Sequence, residues 1–361
     1  MTPRPLTVVL IVPTGVGASI GGFAGDALPV ARAIAQISDT LITHPNVLNG
    51  AQLYWPIPNA LYVEGYALDK FAAGCWGLQP VHQNRIGLIL DSGIEPDLQL
   101  RHLQAADAAR ATLGLNITDC VLTDRPLNVE LRMSESGASW GTIANPDSLL
   151  RAAEKLITQA KVEAIAVVAR FPDDEGTLAL ANYRRGKGVD PLAGAEAVIS
   201  HLIVRTFKIP CAHAPALSPL PLDPHLSPRS AAEEIGYTFL SCVLAGLSKA
   251  PQFTVQKAQE NSQLSITADR VDAVVIPATA CGGSAILSLS GRSSSVQIIA
   301  VGDNKTQMQA TPEKLGIKAL QVNSYLEAIG VLVALRTGIS PASLSADISP
   351  LRYLSDSTKQ I

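Results

Sequence analysis

The stretch Val8–Asp26, VVLIVPTGVGASIGGFAGD, limits what this chain can fold into more than any other. An apolar run meets Pro13 and enters a loop with glycines at 15, 17, 21, 22 and 25. ALPVARAIAQI then follows with helical spacing. Strand, glycine-rich turn and helix in that order is how α/β proteins bring backbone N–H groups up to a small anion. The same order returns in DAVVIPATACGGSAILSLS: apolar strand, proline, a small-residue loop with Gly282 and Gly283, and an apolar helix start. Between the two, RIGLILDSG, DCVLTDRPL and EAIAVVARF read as strands separated by helical segments. That alternation predicts an α/β fold: a mostly parallel, Rossmann-like sheet with helices on both faces.

A chain of 361 residues exceeds the usual size of one core, so one large α/β domain or two lobes are expected. The reading is a first α/β lobe over 1–145, a second or inserted lobe over 146–265, a return to the sheet over 266–345, and a peripheral polar tail over 346–361. The middle part carries a proline-rich connector, PCAHAPALSPLPLDPHLSP, and then RSAAEEIGYTFLSCVLAGLSKA, read as one long helix apolar on most faces. SESGASWGTIANP reads as a soft connection. THPNVLNG with YWPIPNALYVEGY reads as a long irregular passage, of the kind that is often functional when ordered.

Charge narrows the partners. Only 16% of residues are charged, the formal net charge is −3, and the one basic cluster is the short RRGK at Arg184–Lys187. That excludes the electrostatic footprint of a nucleic-acid binder. A surface this poor in charge favours burial in a homo-oligomer. The five cysteines (75, 120, 211, 242, 281) are odd in number and have no CxxC spacing, which speaks against a disulfide framework or a structural zinc. No apolar run reaches the ~18 residues of a membrane span. LTVVLIV after Arg4 reads as a buried strand rather than a secretion signal. A cytoplasmic protein with no nucleic-acid or membrane partner is the expectation.

Ligands of open α/β sheets bind beyond the carboxyl ends of strands. That rule collects Thr14, Gly15, Gly17 and Ser19 of the opening loop, then Asp91 with Ser92, Asp124, and Arg170 with Asp173 and Asp174. It also collects Thr279, Gly282, Gly283 and Ser284 of the second loop, and Asp303 with Asn304. The motif THPNVLN adds His44, Asn46 and Asn49. Three of these residues can do chemistry. His44 and Asp91 suit acid–base work, and Cys281 suits nucleophilic attack, since neighbouring amides lower a thiol's pKa and form an oxyanion hole. Each also has a plainer reading: His44 and the asparagines satisfy loop backbone, acids at strand exits cap helices, and Cys281 is a small core residue.

Spacing excludes several chemistries. A dinucleotide fingerprint needs glycine where Ile20 stands, and no P-loop motif occurs. G-x-S-x-G occurs at 17–21 and 137–141, but neither serine sits on a turn directly between a strand and a helix. The histidines follow no metal-ligand pattern, so no metal site is assigned, and the cofactor is left unknown. The expected function is an enzyme acting on a phosphorylated or carboxylated metabolite, its anionic group held by the two glycine loops. The alternative is a non-catalytic ligand-binding or assembly protein using the same crevice.

The segments PTGVGASIGGFAGDALPVARAIA, ITHPNVLNGAQLYWPIPNALYVEGYALDKF, LDSGIEPDLQLRHLQAADAARATLG and PATACGGSA resemble an uncharacterised, mainly cyanobacterial family with a domain of unknown function. The likeness covers nearly the whole chain. It implies a soluble bacterial protein of this length as one unit, and brings no reaction or catalytic residue with it.

Overall fold

The computed structural model describes residues 4–173, 175–255, 265–292 and 296–351, which leaves Asp174 and residues 352–361 of the tail outside the described residues. In chain order its strands are β1 (Thr7–Leu10), β2 (Thr40–Thr43), β3 (Ala60–Tyr62), β4 (Trp76–Gln79), β5 (Ile86–Leu90), β6 (Ile117–Leu122) and β7 (Val129–Met133). They continue with β8 (Ser139–Ile143), β9 (Ala164–Arg170), β10 (Cys211–Ala216), β11 (Gln252–Val255), β12 (Ala273–Pro277), β13 (Gln297–Val301) and β14 (Ala319–Val322). One sheet runs β14–β13–β12–β1–β2–β3 with every neighbouring pair parallel. The chain starts at the centre of this sheet, works out to one edge, returns to the centre and works out to the other. That is the strand order of a doubly wound sheet, and its switch point lies between β1 and β12. These two strands run into the two glycine-rich loops, so the loops lie side by side.

The second sheet, β10–β9–β5–β6, is also parallel, and the pairs β7–β8 and β4–β11 are antiparallel. The α/β class and the parallel pairing follow the sequence reading. Sheet membership does not follow its boundaries. β5 and β6 lie inside the span read as a first lobe over 1–145, yet they pair with β9 in the second sheet. Both sheets use the same apolar parallel strands, which look alike in sequence.

Alternation along the strands builds the core in two layers. Val8 and Leu10 enter one apolar layer and Val9 the other; Leu88 and Leu90 enter the first and Ile89 the second. Each layer thus holds residues of both sheets. The helix Leu28–Ile37, opened by Pro29 and burying Val30, Ala31 and Ile34, fills the first layer. Phe71 of the helix Gly65–Ala72 and Ile286 of the helix Ser284–Arg292 fill the second.

The segment read as one long helix is two. Ala231–Glu234 and Leu240–Ser248 are separated by Gly236 at φ +68°, a left-handed turn that ends a helix. The second piece buries eight of its nine residues. It packs on β9, β10 and the helix Pro96–Leu113 on one side and on Ala51–Tyr54 on the other, joining the two sheets. The Nδ2 of Asn84 donates to the carbonyls of Leu247 and Ala250 at its end, both at 2.8 Å. The passage read as irregular holds two short helices, Pro45–Leu48 and Ala51–Tyr54, together with β3. The stretch read as a soft connection contains β8. Among the described residues no helix is long and apolar enough to cross a membrane.

Gly246 shows how tight the join is. A Cβ there would stand 2.6 Å from Cε2 of the buried Tyr62 ring of β3. Alanine is ordinarily worth up to ~1 kcal/mol over glycine inside a helix. A ring that cannot move aside makes overpacking cost about 1–3 kcal/mol. The clash wins, so Gly246→Ala is expected to lower stability by about 1 kcal/mol in denaturant unfolding; a stabilised variant would disprove this packing.

Candidate active site

A cavity of about 340 Å³ lies where the carboxyl ends of β1, β2, β3 and β12 face the flank of the second sheet. On the first side stand Thr14 after β1, His44, Asn46 and Asn49 after β2, and Glu64 after β3. On the other side are Glu196, Ser200 and His201 of the helix Ala193–Phe207, with His213 of the edge strand β10. Glu196 and Ser200 are four apart and share a helix face. β10 tolerates Pro215 because a sheet edge does not need every N–H.

The best-defined pair joins the two walls. Glu64 is 4% exposed and caps the helix Gly65–Ala72: its Oε2 accepts from the amides of Tyr66 at 2.9 Å and Ala67 at 3.2 Å. Its Oε1 stands 2.8 Å from Nε2 of His201. Burial opposes protonation of His201, but the hydrogen bond and charge of Glu64, helped by Asp69, outweigh it and raise His201 above an ordinary histidine. A carboxylate fixed at Nε2–H leaves Nδ1 as the basic atom of neutral His201. Nearby, His213 places Nδ1 3.3 Å from Oγ of Ser200 and Nε2 3.6 Å from Oε2 of Glu196.

His44 does different work. Its Nε2 accepts from the amide of Val12 at 3.2 Å, standing in for a strand acceptor where β1 ends. Desolvation in the cavity wall lowers its pKa to about 4, so it is neutral at physiological pH, with its proton on Nδ1. It is suited to donate a hydrogen bond rather than to take up a proton.

The two glycine loops turn toward this region, but the protein's own side chains occupy several of their amides. In the opening loop, Asp26 accepts from Gly21, Glu233 from Ala24 at 3.3 Å, and Oδ1 of Asn304 from Ile20 at 2.8 Å. In the second, Asp69 takes the amide of Ala285 at the start of the helix Ser284–Arg292. Burial raises Glu233 to about 7, with the Asp26 charge adding to it, and raises Asp26 to about 6 against the pull of Gly21 and Arg229.

Of the residues expected from sequence, the cavity gathers Thr14, His44, Asn46, Asn49 and Gly283. Others have structural employment. Asp91, 1% exposed, accepts from the amides of Gly93 at 3.0 Å, Leu127 at 2.9 Å and Arg170 at 3.1 Å, and lies away from the cavity. Ser92 bonds Thr123, and Asp124 bonds Ser148 and Arg151. Arg170 pairs with Asp173 and Glu95, so the exits of the second sheet form their own ion-pair cluster. Cys281 is fully buried with its Sγ on the carbonyls of Pro277 and Ala278, and burial pushes its thiol up to about 11, the opposite of an activated nucleophile.

Thr279 bonds Thr306, Asn304 bonds Ile20 and Tyr325, and Asp303 joins the amide of its residue to the carbonyl of Asn323. Gly15 and Gly17 adopt φ of +68° and +76°, with Gly15 packed on Ser139 and Gly17 on Val189. Gly282 abuts Ala310, while Ser19 is exposed and Ser284 begins its helix. None of these lines the cavity. Ser139 is the first residue of a hairpin strand, which is no nucleophile elbow.

Sequence reasoning missed Glu64, Asp69, Glu196, Ser200, His201, Glu233 and Thr238, all in the lining. The available signal was the E-x-x-x-S-H spacing at 196–201, which puts Glu196 and Ser200 on one helix face with His201 at its margin. Among the described residues no group of three or more His, Cys, Asp or Glu side chains is arranged to hold a metal.

A family described as a protein of unknown function (DUF3326) matches residues 7–345, a span that includes both sheets and both cavity walls. The chain belongs to this family. A relative in Synechococcus sp. is 60% identical over 360 residues, covering 100% of this chain and 99% of its own length, and is called an uncharacterized lipoprotein. A lipoprotein is carried on a membrane by acyl chains. That name overturns the free cytoplasmic location expected here, which rested on cysteine usage, on the lack of an apolar span and on reading the stretch after Arg4 as a strand rather than a secretion signal. No solved structure matches.

Two outcomes follow for this DUF3326 chain. Asp91→Ala leaves the buried amide of Leu127 without an acceptor, at about 1–3 kcal/mol, and releases the part-buried amides of Gly93 and Arg170. A loss of about 1–3 kcal/mol is expected in chemical unfolding, and an unchanged midpoint would return Asp91 to the list of catalytic candidates. Asp26 and Glu233 have raised folded-state pKa values, so the stability they allow is fully present below about pH 4 and is lost as pH rises through about 6 to 7. Glu233→Gln is expected to flatten this fall and to melt higher than the parent near pH 8, read from thermal unfolding at several pH values.

Proposed function

We propose that this chain is an enzyme that moves a proton to or from a small metabolite held in the cavity between its two sheets. His201 is the base in this reading, and Glu64 is the residue that orients it. The observation carrying the proposal is the Glu64–His201 contact of 2.8 Å across the cavity wall. Glu64 is held by two backbone amides, so the imidazole is positioned by a carboxylate that cannot swing away. A histidine fixed in this manner is the usual agent of general acid–base catalysis, worth about 10²–10⁴-fold in rate. His44 supports the reading as a neutral donor on the same lining, able to stabilise negative charge that develops on the substrate. His213, flanked by Ser200 and Glu196, supplies a second imidazole for the return of the proton.

The ligand expected from sequence, an anion cradled by glycine loops, is not carried into this proposal. Asp26, Glu233 and Asp69 already bond to amides of those loops, and among the described residues no lysine or arginine lines the cavity.

The test begins with a thermal-shift screen of small metabolites, because a ligand that binds only the folded state raises its melting temperature. Turnover of each hit is then followed by loss or exchange of substrate protons in NMR spectra. His201→Gln is expected to reduce the rate at least 100-fold while the ligand still binds. A base must be neutral to act, so the parent rate rises with pH through the raised pKa of His201. Glu64→Gln removes the partner that raises it and is expected to move that acid limb to lower pH, besides slowing turnover. A bound ligand processed equally fast by His201→Gln would exclude the mechanism.

A further inference from the structure

The cavity wall supplied by the second sheet holds a trio of side chains distinct from the Glu64–His201 pair. Glu196 and Ser200 share one face of the helix Ala193–Phe207, and the imidazole of His213 on β10 bridges them. Its Nδ1 stands 3.3 Å from Oγ of Ser200 and its Nε2 3.6 Å from Oε2 of Glu196. A carboxylate only accepts, so Glu196 favours the ring proton on Nε2 and turns the lone pair of Nδ1 toward the serine hydroxyl. Hydroxyl, imidazole and carboxylate in that order make a serine nucleophilic, and the arrangement is recognised by geometry and roles rather than by sequence position. The hydroxyl also reaches the carbonyl of Ala197 at 3.4 Å. Neither of its bonds has the best length, so it can turn fully to the imidazole, and such contacts tighten around a substrate. All three residues line the cavity, and Ser200, 3% exposed, is shielded there from bulk water.

We propose that Ser200 is the nucleophile of an acyl transfer, with His213 as its base, Glu196 as the positioning residue and a small carboxylic ester as the substrate. This rests on reading the cavity as the place where the substrate binds, and not on His201 as a base. Oγ of Ser200 bonds to the ester carbon while its proton passes to Nδ1 of His213. The carbon–oxygen bond to the alcohol then breaks, and the departing oxygen takes that proton. Water repeats the sequence: it gives a proton to His213, its oxygen bonds to the acyl carbon, and Oγ leaves as the hydroxyl, releasing a carboxylic acid. Inside a helix the amides beside Ser200 are bonded to the preceding turn, so the negative charge on the carbonyl oxygen falls to side-chain donors. The lining offers His44, with its proton on Nδ1, and Asn49, whose Oδ1 accepts from Tyr62 at 3.0 Å and leaves its NH2 to donate. A volume near 340 Å³ limits the ester to metabolite size.

The test applies two small neutral probes to the full chain. Diisopropyl fluorophosphate bonds to an activated serine Oγ as fluoride leaves, and intact mass with peptide mapping locates the adduct. 4-Nitrophenyl acetate reports formation of an acyl-enzyme as a burst of nitrophenolate stoichiometric with the protein. An adduct on Ser200 and a burst are expected, both absent from Ser200→Ala, with labelling about 100-fold or more slower in His213→Gln. Glu196→Gln is expected to slow labelling about tenfold or more and to move the acid limb of its rate to lower pH, because a protonated ring there loses its counter-charge. No adduct, or an adduct or burst that survives Ser200→Ala, overturns the proposal. Equal labelling of the parent and a His213→Gln variant that melts with it does so too. Should His213→Gln unfold early, Glu196→Gln decides, and an unmoved rate and acid limb there are fatal. Labelling of Ser200 without proton exchange in any bound metabolite upholds acyl transfer and counts against His201 as the base. Proton exchange that depends on His201, with Ser200 unlabelled, does the reverse.

Discussion

Backbone amides that a loop cannot bond to itself must find acceptors, and this molecule is arranged around how it finds them. Tight glycine turns at the switch point of a doubly wound sheet leave N–H groups pointing outward. Here Asp26, Glu233 and Asp69 come from three different segments to accept them. Each carboxylate arrives at the cost of desolvation, which is why burial leads the causes that raise all three. The result is a pair of loops several of whose amides are already taken by the protein's own carboxylates. A glycine-rich turn attracts anions in general; whose anion it attracts depends on the side chains that surround it.

The same logic separates what was legible in the sequence from what was not. β1 and β12 were readable because each is an unbroken apolar run ended by proline and glycine, and their likeness to each other foretold that both would lie in one sheet. β8 was not readable, although its burial alternates strictly. Its inward positions include Ser139 and Gly141, which carry no hydropathy signal, while the outward Trp140 misleads. Gly236 was likewise passed over within an apolar stretch, since a single glycine in a helical pattern is tolerated more often than it breaks the helix.

In the candidate site the sequence exposed residues flanking glycine and missed those that arrive from far away. Thr14, His44 and Asn46 belong to loops that announce themselves. Glu64 and His201 lie 137 positions apart by their numbering and meet only because the edge strand of one sheet is set against the carboxyl ends of another. Asp91 shows the converse error. Its place at a strand exit made it look catalytic, and the structure spends both oxygens on backbone amides of three segments. A strand-end acid is ambiguous until its partners are known.

The position of β12 beside β1 also sets a timetable. Val8 is paired with Ala273, so the central ladder of the first sheet cannot form until most of the chain has been made. At about 5–20 residues per second, the flank of β1 waits on the order of tens of seconds for its partner during synthesis. Throughout that interval a hydrophobic strand has an open hydrogen-bonding edge, the arrangement most prone to pairing with the wrong chain. The second sheet has its strands within residues 86–216 and can assemble in the meantime. Biogenesis of this protein therefore places its greatest demand on whatever shields the newly made amino-terminal strand.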